Sequence, residues 1–306
     1  MKEYIGNVCL DLENYNSDEI YSDGSVEDEL LEIVQNYSED DYEKIIYERK
    51  NWAILYHLSK LRWNIIENVS ITKEETVLEI GAGCGAITGL LADKAGKVTS
   101  IELSKKRSLI NAYRNRNKKN IEIKVGNFET IHRYLKEKYD VITLIGVFEY
   151  AQSYINSEQP YMDFLKMIKS HLSVGGKIII AIENKYGLKY WAGCREDHVH
   201  SFFSSIEGYP KTQRVKTFGK QKLESLLTMT GYNRIQMYYP YPDYKFPTHI
   251  YSDEYLPQKG DLTNNIRNFD NDRMILFDEG LVFDNLIDDN MFPFFSNSYL
   301  VIAERG

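Results

Sequence analysis

Val77-Leu-Glu-Ile-Gly-Ala-Gly-Cys-Gly85 is the stretch of sequence that decides the fold of this chain. Its apolar beginning predicts a short buried strand over residues 76–80, and a helical pattern follows over 85–95. The three glycines allow a sharp turn and let the backbone approach a ligand with no Cβ in the way. Because the start of the next helix offers free N–H groups, the stretch predicts a nucleoside-binding loop.

An acidic residue stands where such a loop needs one. Glu102 lies 21 residues after Gly81, at the end of the second predicted strand, 97–102. A carboxylate at that position accepts hydrogen bonds from the two hydroxyls of a ribose. A glycine motif alone is weak evidence, but strand, helix and acid in register together indicate a bound nucleoside cofactor rather than a merely structural turn.

Strands and helices continue to alternate through the rest of the chain, which is typical of a parallel sheet with helices on both faces. The last predicted strand follows a long insertion, and this layout favours an antiparallel pair added to the sheet. The predicted fold class is therefore α/β, a Rossmann-like sheet that is mostly parallel with an antiparallel last strand. The remaining predicted strands are 121–125, 139–145, 177–182, 232–239 and 298–303, and the helices are 104–117, 129–138, 160–172 and 219–230.

Two regions are predicted along the chain. Residues 1–73 read as a helical N-terminal extension or lid, with helical spacing over 26–37 and 40–69. Residues 74–306 form the main domain, with insertions at about 183–216 and 240–296.

The choice of cofactor depends on the neighbours of the loop. Ala86 makes the loop compatible with a dinucleotide pattern, G-x-G-x-x-A. Glu79, two residues before Gly81, suits instead the cationic amino-acid part of S-adenosylmethionine. Asn127 and Phe128 end the third strand, where the first can meet an adenine and the second can pack on it.

The loop, Glu102, Asn127 and the turn at 172–176 together resemble the class I S-adenosylmethionine-dependent methyltransferases. The resemblance runs from about residue 75 to the C-terminus, and it implies S-adenosyl-L-methionine as the cofactor. The residues that it assigns to cofactor binding are Glu79, Gly81, Ala82, Gly83, Gly85, Glu102, Leu103, Asn127, Phe128 and Gly146.

A more specific resemblance lies outside the cofactor motifs and covers nearly the whole chain. It is to bacterial methyltransferases that are associated with glycosyltransferases of surface-polysaccharide assembly. It implies O-methylation of a sugar or glycan intermediate, with glycosyltransferases as partners. The residues that carry it are 21–24, 48–52, 56–59, 182–191, 196–198 and 239–244.

Two alternatives remain open. The stretch 77–129 is also similar to ribosomal RNA adenine dimethyltransferases, which carry an Asn-Leu-Pro-Tyr type motif after strand four. This chain has Gly-Val-Phe-Glu-Tyr at 146–150 instead, which removes the expected ligand of the base amine and demotes the RNA hypothesis. A methyltransferase-like binding module without catalysis is the third hypothesis, and the intact glycine loop and Glu102 argue against it.

Polar residues after two predicted strands are the catalytic candidates, since the carboxyl ends of strands carry the site in open α/β sheets. Glu149 follows strand four and Glu183 follows strand five. His198 lies in Glu-Asp-His-Val-His, where a carboxylate can orient an imidazole base. The spacing of His198 and His200 also allows a metal hypothesis, but the sequence predicts no metal. Asn184 and Lys185 follow Glu183, and a helix cap would explain Asn184 equally well.

Composition limits the partners. The 306 residues carry a net charge of −8, which disfavours non-specific electrostatic binding to nucleic acid. The charge is uneven, because residues 1–50 hold 15 acids and 4 bases whereas 103–138 hold 11 bases and 3 acids. Three scattered cysteines predict neither a zinc site nor disulfides, and Cys84 reads as a small filler. With no long apolar run and no leader-like start, we expect a cytoplasmic protein without membrane insertion.

Aromatic residues are concentrated near the C-terminus. The sequence holds 24 tyrosines, with a dense group over 232–255. This group suits a sugar-binding platform or a cover over the core edge, and the sequence does not decide between them. His57 and Trp52 similarly read as packing of the N-terminal helices, with a lid as the functional alternative.

Overall fold

The computed structural model describes residues 1–16, 24–265 and 272–306. They form two compact units, the first comprising Met1–Leu144 and His171–Gly176, the second Ile145–Ser170 and Lys177–Gly306. The boundary predicted at residue 73 therefore does not coincide with the boundary between these units. Residues 21–23 of one quoted motif, and 266–271 of the second insertion, lie outside the described residues.

The described residues of the first part of the chain form six strands and short helices that pack around them. In chain order the elements are β1 (Lys2–Ile5), β2 (Val8–Asp11), α1 (Val26–Asn36), α2 (Tyr42–Arg49), α3 (Trp52–Leu58), α4 (Asn64–Glu67), β3 (Thr76–Ile80), α5 (Thr88–Lys94), β4 (Lys97–Glu102), α6 (Lys105–Arg114), β5 (Ile121–Val125), α7 (Phe128–Ile131) and β6 (Tyr139–Ile145).

The strand order of this part is β1-β2-β5-β4-β3-β6. All neighbours from β2 to β6 run parallel, as the alternation of strands and helices predicts. The register places Glu79 of β3 beside Ser100 of β4 and Thr143 of β6. The predicted α/β class is confirmed.

The first eleven residues contradict the prediction of a wholly helical extension. β1 and β2 form an antiparallel hairpin, and β2 adds to the sheet by pairing in parallel with β5. Gly6 makes the turn with φ +58°, and Val8 and Leu10 are fully buried. Their period of two is the signature of a strand, but it spans too few residues to stand out in a polar, acidic segment.

Beyond the hairpin the extension is helical as predicted, and its helices pack on the glycine loop. Apolar residues of α1, α2 and α3 form one buried cluster with Cys84 and with Ile110 of α6. Trp63 also donates its indole N–H to the carbonyl of Ala86 at 2.9 Å. Cys84 is 1% exposed in this cluster, which supports its interpretation as a filler. A lid function for the extension stays a prediction.

The acidic N-terminal segment and the basic run neutralise each other. Glu27 pairs with Arg107 at 2.8 Å, and both side chains are buried. Further pairs join Asp28 to Lys106 and Glu39 to Arg114. Part of the uneven charge of the sequence is therefore paired within the first unit.

The later part of the chain follows the prediction less closely. Its elements are α8 (Ala151–Tyr154), α9 (Pro160–His171), β7 (Leu172–Glu183), α10 (Leu188–Trp191), α11 (Lys220–Met229), β8 (Tyr232–Tyr241), β9 (His249–Ser252), α12 (Glu279–Asp288), α13 (Phe292–Phe295) and β10 (Ser298–Arg305).

The last strand, β10, runs antiparallel to both β7 and β8, and β8 runs antiparallel to β9. The predicted antiparallel last strand is therefore confirmed. β7 begins five residues before the predicted strand, because Gly175 and Gly176 lie within it rather than breaking it. In the part of the chain that the structure describes, no helix combines the length and hydropathy of a membrane span.

The tyrosine-rich segment is mostly buried. Tyr239, Tyr241 and Tyr244 are at most 4% exposed, whereas Tyr255 is 72% exposed. The ring of Tyr239 packs edge-on against Phe292 of α13. The segment therefore acts mainly as a cover over the core of the second unit, and an open aromatic platform at these buried tyrosines is ruled out.

Candidate active site

The glycine loop that follows β3 has the backbone that its sequence predicts. Gly81, Gly83 and Gly85 have φ values of +73°, +54° and +77°, a region that other residues rarely adopt. The N–H groups of Gly81 and Ala82 donate to the carbonyl of Ile101 at 2.8 and 3.2 Å. A Cβ on Gly85 would overlap Asn111, whereas a Cβ on Gly83 would point into open space. Position 83 is therefore where a ligand can come close to the backbone.

Glu102 lies beside this open position. Its two carboxylate oxygens accept hydrogen bonds from the N–H groups of Gly83 at 2.8 Å and Ser104 at 2.9 Å. Burial raises the pKa of Glu102, while the charge of Arg107 and these N–H groups oppose the shift. Each oxygen keeps a lone pair for a further donor, so the geometry fits the two hydroxyls of a ribose.

Glu79 is buried behind the loop and held by hydroxyl groups. Its Oε2 accepts hydrogen bonds from Thr88 at 2.6 Å and Ser100 at 2.7 Å, and Asn111 in turn donates to Thr88 at 3.0 Å. Burial raises the pKa of Glu79 to about 7. A cationic ligand nearby would favour the ionised form, so the residue fits the predicted amino-acid end of the cofactor.

The other predicted cofactor residues of the first unit lie at strand ends. Asn127 caps α7 by accepting the N–H of Glu129 at 2.9 Å. Phe128 is 6% exposed, and its ring contacts His132 and His171. Ala82 is buried and Leu103 is half-buried. The contacts of these four residues with a cofactor stay predictions.

Gly146 belongs to the second unit. It has φ +71°, and a Cβ there would stand 2.7 Å from the hydroxyl of Tyr244. Only glycine therefore fits this position without a shift of Tyr244. Its role at the cofactor stays a prediction.

The three predicted catalytic residues meet in the second unit. His198 Nε2 lies 3.5 Å from Glu149 Oε1 and 3.6 Å from Glu183 Oε2. On the other side of the ring, Nδ1 lies 2.8 Å from Glu196 Oε1. Glu149 follows the end of β6 in a short 3-10 turn, and Glu183 ends β7. We call Glu149, Glu183, Glu196 and His198 the carboxylate–histidine cluster.

Electrostatic interactions within the cluster shift the pKa values of the predicted catalytic groups. Burial tends to lower the pKa of His198, but the charges of Glu183, Glu149 and Glu196 raise it well above the ordinary value. Burial raises the pKa of Glu149, with the charge of Glu183 adding to the shift. A raised pKa makes each of these two groups a stronger proton acceptor once it is deprotonated. The assignment of the base to His198 stays a prediction.

A second layer of charged residues supports the cluster and was missed by the sequence analysis. Lys245 pairs with Glu183 and contacts Asp197 at 2.8 Å. Lys189 contacts Asp197 at 2.9 Å and Asp243 at 2.7 Å. The charges of Lys189 and Lys245 outweigh burial and hold the pKa of Asp197 well below its usual range. A signal was present, because these charged residues lie within or next to the motifs 182–191, 196–198 and 239–244.

Two neighbours of the catalytic candidates have structural roles. Asn184 donates to the carbonyls of Phe294 at 2.8 Å and Ser296 at 2.7 Å, and accepts the N–H of Tyr186 at 2.9 Å. Asn184 thus closes a local turn and ties it to the backbone around α13, whereas the helix that follows, α10, has Gly187 at its N-cap, so the prediction that Asn184 caps a helix is wrong. His200 is exposed and is not part of the carboxylate–histidine cluster.

Comparison with known proteins identifies the family. A family model described as a methyltransferase domain matches residues 55–236, which are more than half of the chain. The chain belongs to this methyltransferase family. The cofactor prediction, S-adenosyl-L-methionine, is confirmed at the level of the family, and the glycine loop with Glu79 and Glu102 fits it.

The names of the similar curated proteins describe methyltransferases that act on ribosomal RNA. The rRNA adenine N-6-methyltransferase of Bacillus licheniformis is 37% identical over 91 residues, which are 30% of this chain and 31% of that protein. The ribosomal RNA small subunit methyltransferase A of Borreliella burgdorferi (strain ZS7) is 24% identical over 229 residues, 74% of this chain and 69% of that protein. The chain thus spans about a third of the length of the first relative.

Similar solved structures are also methyltransferases. A SAM dependent methyltransferase from Archaeoglobus fulgidus has a TM-score of 0.49 and 14% identity, covering 81% of this chain and 95% of that one. The N-methyltransferase NodS from Bradyrhizobium japonicum WM9, in complex with S-adenosyl-L-homocysteine, has a TM-score of 0.45 and 12% identity, covering 92% and 96%. Because both scores lie below 0.5, the fold assignment rests on the strand order and the family model.

Proposed function

We propose that this methyltransferase transfers a methyl group to a hydroxyl of a sugar or glycan intermediate. S-adenosyl-L-methionine supplies the methyl group as a sulfonium, and the protein has to orient the acceptor, exclude water and remove the hydroxyl proton. The observation that carries the proposal is the carboxylate–histidine cluster, because a hydroxyl is a poor nucleophile until a neighbouring group takes its proton.

The residues of the cluster take separate roles in this proposal. Glu149 accepts the proton, since burial raises the pKa of its carboxyl and makes the carboxylate a stronger base. His198 compensates the charge of Glu149 and Glu183 and is oriented by Glu196 through Nδ1. Glycosyltransferases as partners are supported only by the resemblance over motifs such as 182–191.

An RNA substrate is the second candidate, favoured by the names of the similar curated proteins. Three basic residues of 103–138, which would have to hold phosphates, are already paired with acids of the N-terminal segment: Lys106, Arg107 and Arg114. The segment 146–150 also lacks the amine-binding motif of the adenine dimethyltransferases. We therefore favour the glycan hydroxyl.

The test is transfer of a labelled methyl group from S-adenosyl-L-methionine to two sets of acceptors. One set contains nucleotide-linked sugars and oligosaccharides, and the other contains ribosomal RNA transcripts. We expect label on a hydroxyl of the first set, and label on RNA adenine would overturn the proposal. Failure of the protein to bind the cofactor in calorimetric titration would also overturn it and would favour a binding module without catalysis.

A pair of variants links the activity to the cluster. His198→Gln removes the group that compensates the charge of Glu149 and Glu183, so the transfer rate should fall by about 100-fold, without a change in the affinity for the cofactor. His200→Gln is the matched control, because His200 is exposed and two residues away. Equal rates for the two variants would remove the cluster from the mechanism.

A further inference from the structure

We propose that Glu149, Glu183 and His198 form a binding site for a divalent transition-metal cation such as Mn²⁺. One ligand atom from each residue lies within 4.8 Å of the others. Sequence spacing drew attention to His198 and His200 and predicted no metal, whereas the structure brings the second and third donors from the ends of two strands.

The distances fit a cation between the three side chains. His198 Nε2 is 3.5 and 3.6 Å from the two carboxylates, which is long for a hydrogen bond. Ligand atoms about 2.1 Å from a shared metal stand about 3.0–3.6 Å apart at ordinary coordination angles. The ligand oxygens of Glu149 and Glu183 lie within 4.8 Å of each other, so they need to approach by at most about 1.2 Å to complete the site.

The carboxylates also have unused oxygens. Glu149 is 1% and Glu183 is 0% exposed. Oε2 of each is buried and has no hydrogen-bond partner among the described residues. Oε2 of Glu183 is also the atom that faces His198 Nε2. A buried, unpartnered carboxylate oxygen is costly, and coordination would satisfy it.

The imidazole is prepared for a metal by its outer contact. Nδ1 of His198 lies 2.8 Å from Glu196 Oε1, and Glu196 Oε2 accepts the backbone N–H groups of His198 and Val199 at 2.8 and 2.7 Å. This contact directs Nε2 of the ring towards Glu149 and Glu183. This carboxylate–histidine pair is the usual outer support of a metal-bound histidine.

The formal charge of the surroundings also favours a cation. Around His198 and the second layer, five carboxylates face two lysines, which leaves a formal charge of −3. A divalent cation would offset two of these charges. Two carboxylates and one imidazole suit Mn²⁺, Co²⁺ or Zn²⁺ better than Ca²⁺. The carboxylates are Glu149, Glu183, Glu196, Asp197 and Asp243, and the lysines are Lys189 and Lys245.

The test is a titration of the metal-free, untagged full chain with Mn²⁺, in which free Mn²⁺ is counted by its paramagnetic resonance signal. We expect one site per chain. Glu149→Gln and Glu183→Gln should each weaken Mn²⁺ binding by at least about 100-fold, and Glu196→Gln by about 10- to 100-fold. Glu304→Gln, which alters an exposed pair with Arg234, is the matched control and should bind as the wild type.

The outcomes separate the metal site from the proposed reaction, because binding is measured without any acceptor. Absence of Mn²⁺ binding by the wild-type chain overturns the site, whatever the variants do. Binding that survives both Glu149→Gln and Glu183→Gln also overturns it. If either variant fails to fold, as judged by circular dichroism, Co²⁺ bound to the wild type gives a second measurement. Its visible spectrum should then show nitrogen and oxygen ligands, and loss of the nitrogen signature in His198→Gln supports the site.

Discussion

The glycine loop and the carboxylate–histidine cluster are built by opposite means. The loop occupies a few consecutive residues and presents backbone N–H groups beside one acid, Glu102. The cluster consists of side chains from three distant segments, around Glu149, Glu183 and residues 196–198, with a second layer from 243–245. The loop therefore depends on backbone conformation at a few glycines, whereas the cluster depends on the balance of buried charge.

A substitution that fills the loop should have the largest effect. Gly83→Arg places a side chain in the open space beside Glu102, so we expect the affinity for S-adenosyl-L-methionine to fall by about 1,000-fold or more, over 4 kcal/mol. Calorimetric titration measures this affinity for S-adenosyl-L-methionine. Gly260→Arg is the matched control, because Gly260 also has a positive φ and open space around its Cβ position. Similar affinities for the two variants would show that the loop does not hold the cofactor.

The stability of the cluster region depends on the balance of its buried charges. Lys245→Met leaves Glu183 and Asp197 without a cation that both contact, so we expect the free energy of unfolding to fall by about 3–4 kcal/mol. Urea unfolding measures this loss. Lys220→Met is the control, since its partners Glu224 and Asp253 are more exposed, and it should cost about 1 kcal/mol or less. Equal losses would mean that the charges of the cluster are compensated elsewhere.

The contrast between the two regions also explains what the sequence could predict. The strand, the glycines and the acid of the loop follow one another closely in sequence, so spacing alone predicts the turn at Gly81, Gly83 and Gly85 and the position of Glu102 beside it. The contacts of these residues with the cofactor stay predictions. Glu149 and Glu183 were found because both follow strand ends, a rule of topology rather than of local pattern. The hairpin at the N-terminus was missed because its period of two spans only four residues in each strand.

The pKa shifts of the cluster could not be predicted from the sequence, for a different reason. The neighbouring carboxylate of Glu196 suggested a base at His198, but the charges that decide its pKa come from Glu183 and Glu149, far away in the chain. Lys189 and Lys245 are also long-range partners. Electrostatic interactions between distant segments need coordinates, whereas a turn needs only its own residues.

Buried charge in the loop region can be tested through pH. The folded-state pKa of Glu79 is about 7 and lies above that of the unfolded chain. Its favourable contribution to stability is therefore complete below about pH 4.5 and is lost as pH rises through 7. The free energy of unfolding of the wild type minus that of Glu79→Gln should fall by about 3 kcal/mol between these limits.

Urea unfolding across this pH range measures the difference, and Gln keeps an oxygen to accept the hydroxyls of Thr88 and Ser100. Glu137→Gln is the control, because Glu137 is paired at the surface with Lys97 and its difference should stay constant. If the difference in the free energy of unfolding between the wild type and Glu79→Gln also stays constant, Glu79 is ionised across this pH range.

The smallest expected effect is that of Cys84→Ala, a substitution within the loop itself. It tests whether the thiol of Cys84 contributes only packing or also takes part in the reaction. Its thiol lies in the apolar cluster between the loop and helices α1 to α3, so Cys84→Ala should lower the free energy of unfolding by about 1 kcal/mol. The affinity for S-adenosyl-L-methionine and the rate of methyl transfer should stay unchanged, because the thiol faces the core rather than a ligand. Cys194→Ala, a buried cysteine of the second unit, is the matched control. Loss of transfer in Cys84→Ala with stability and cofactor affinity intact would assign the thiol a chemical role, and the loop would then act through a side chain as the cluster does.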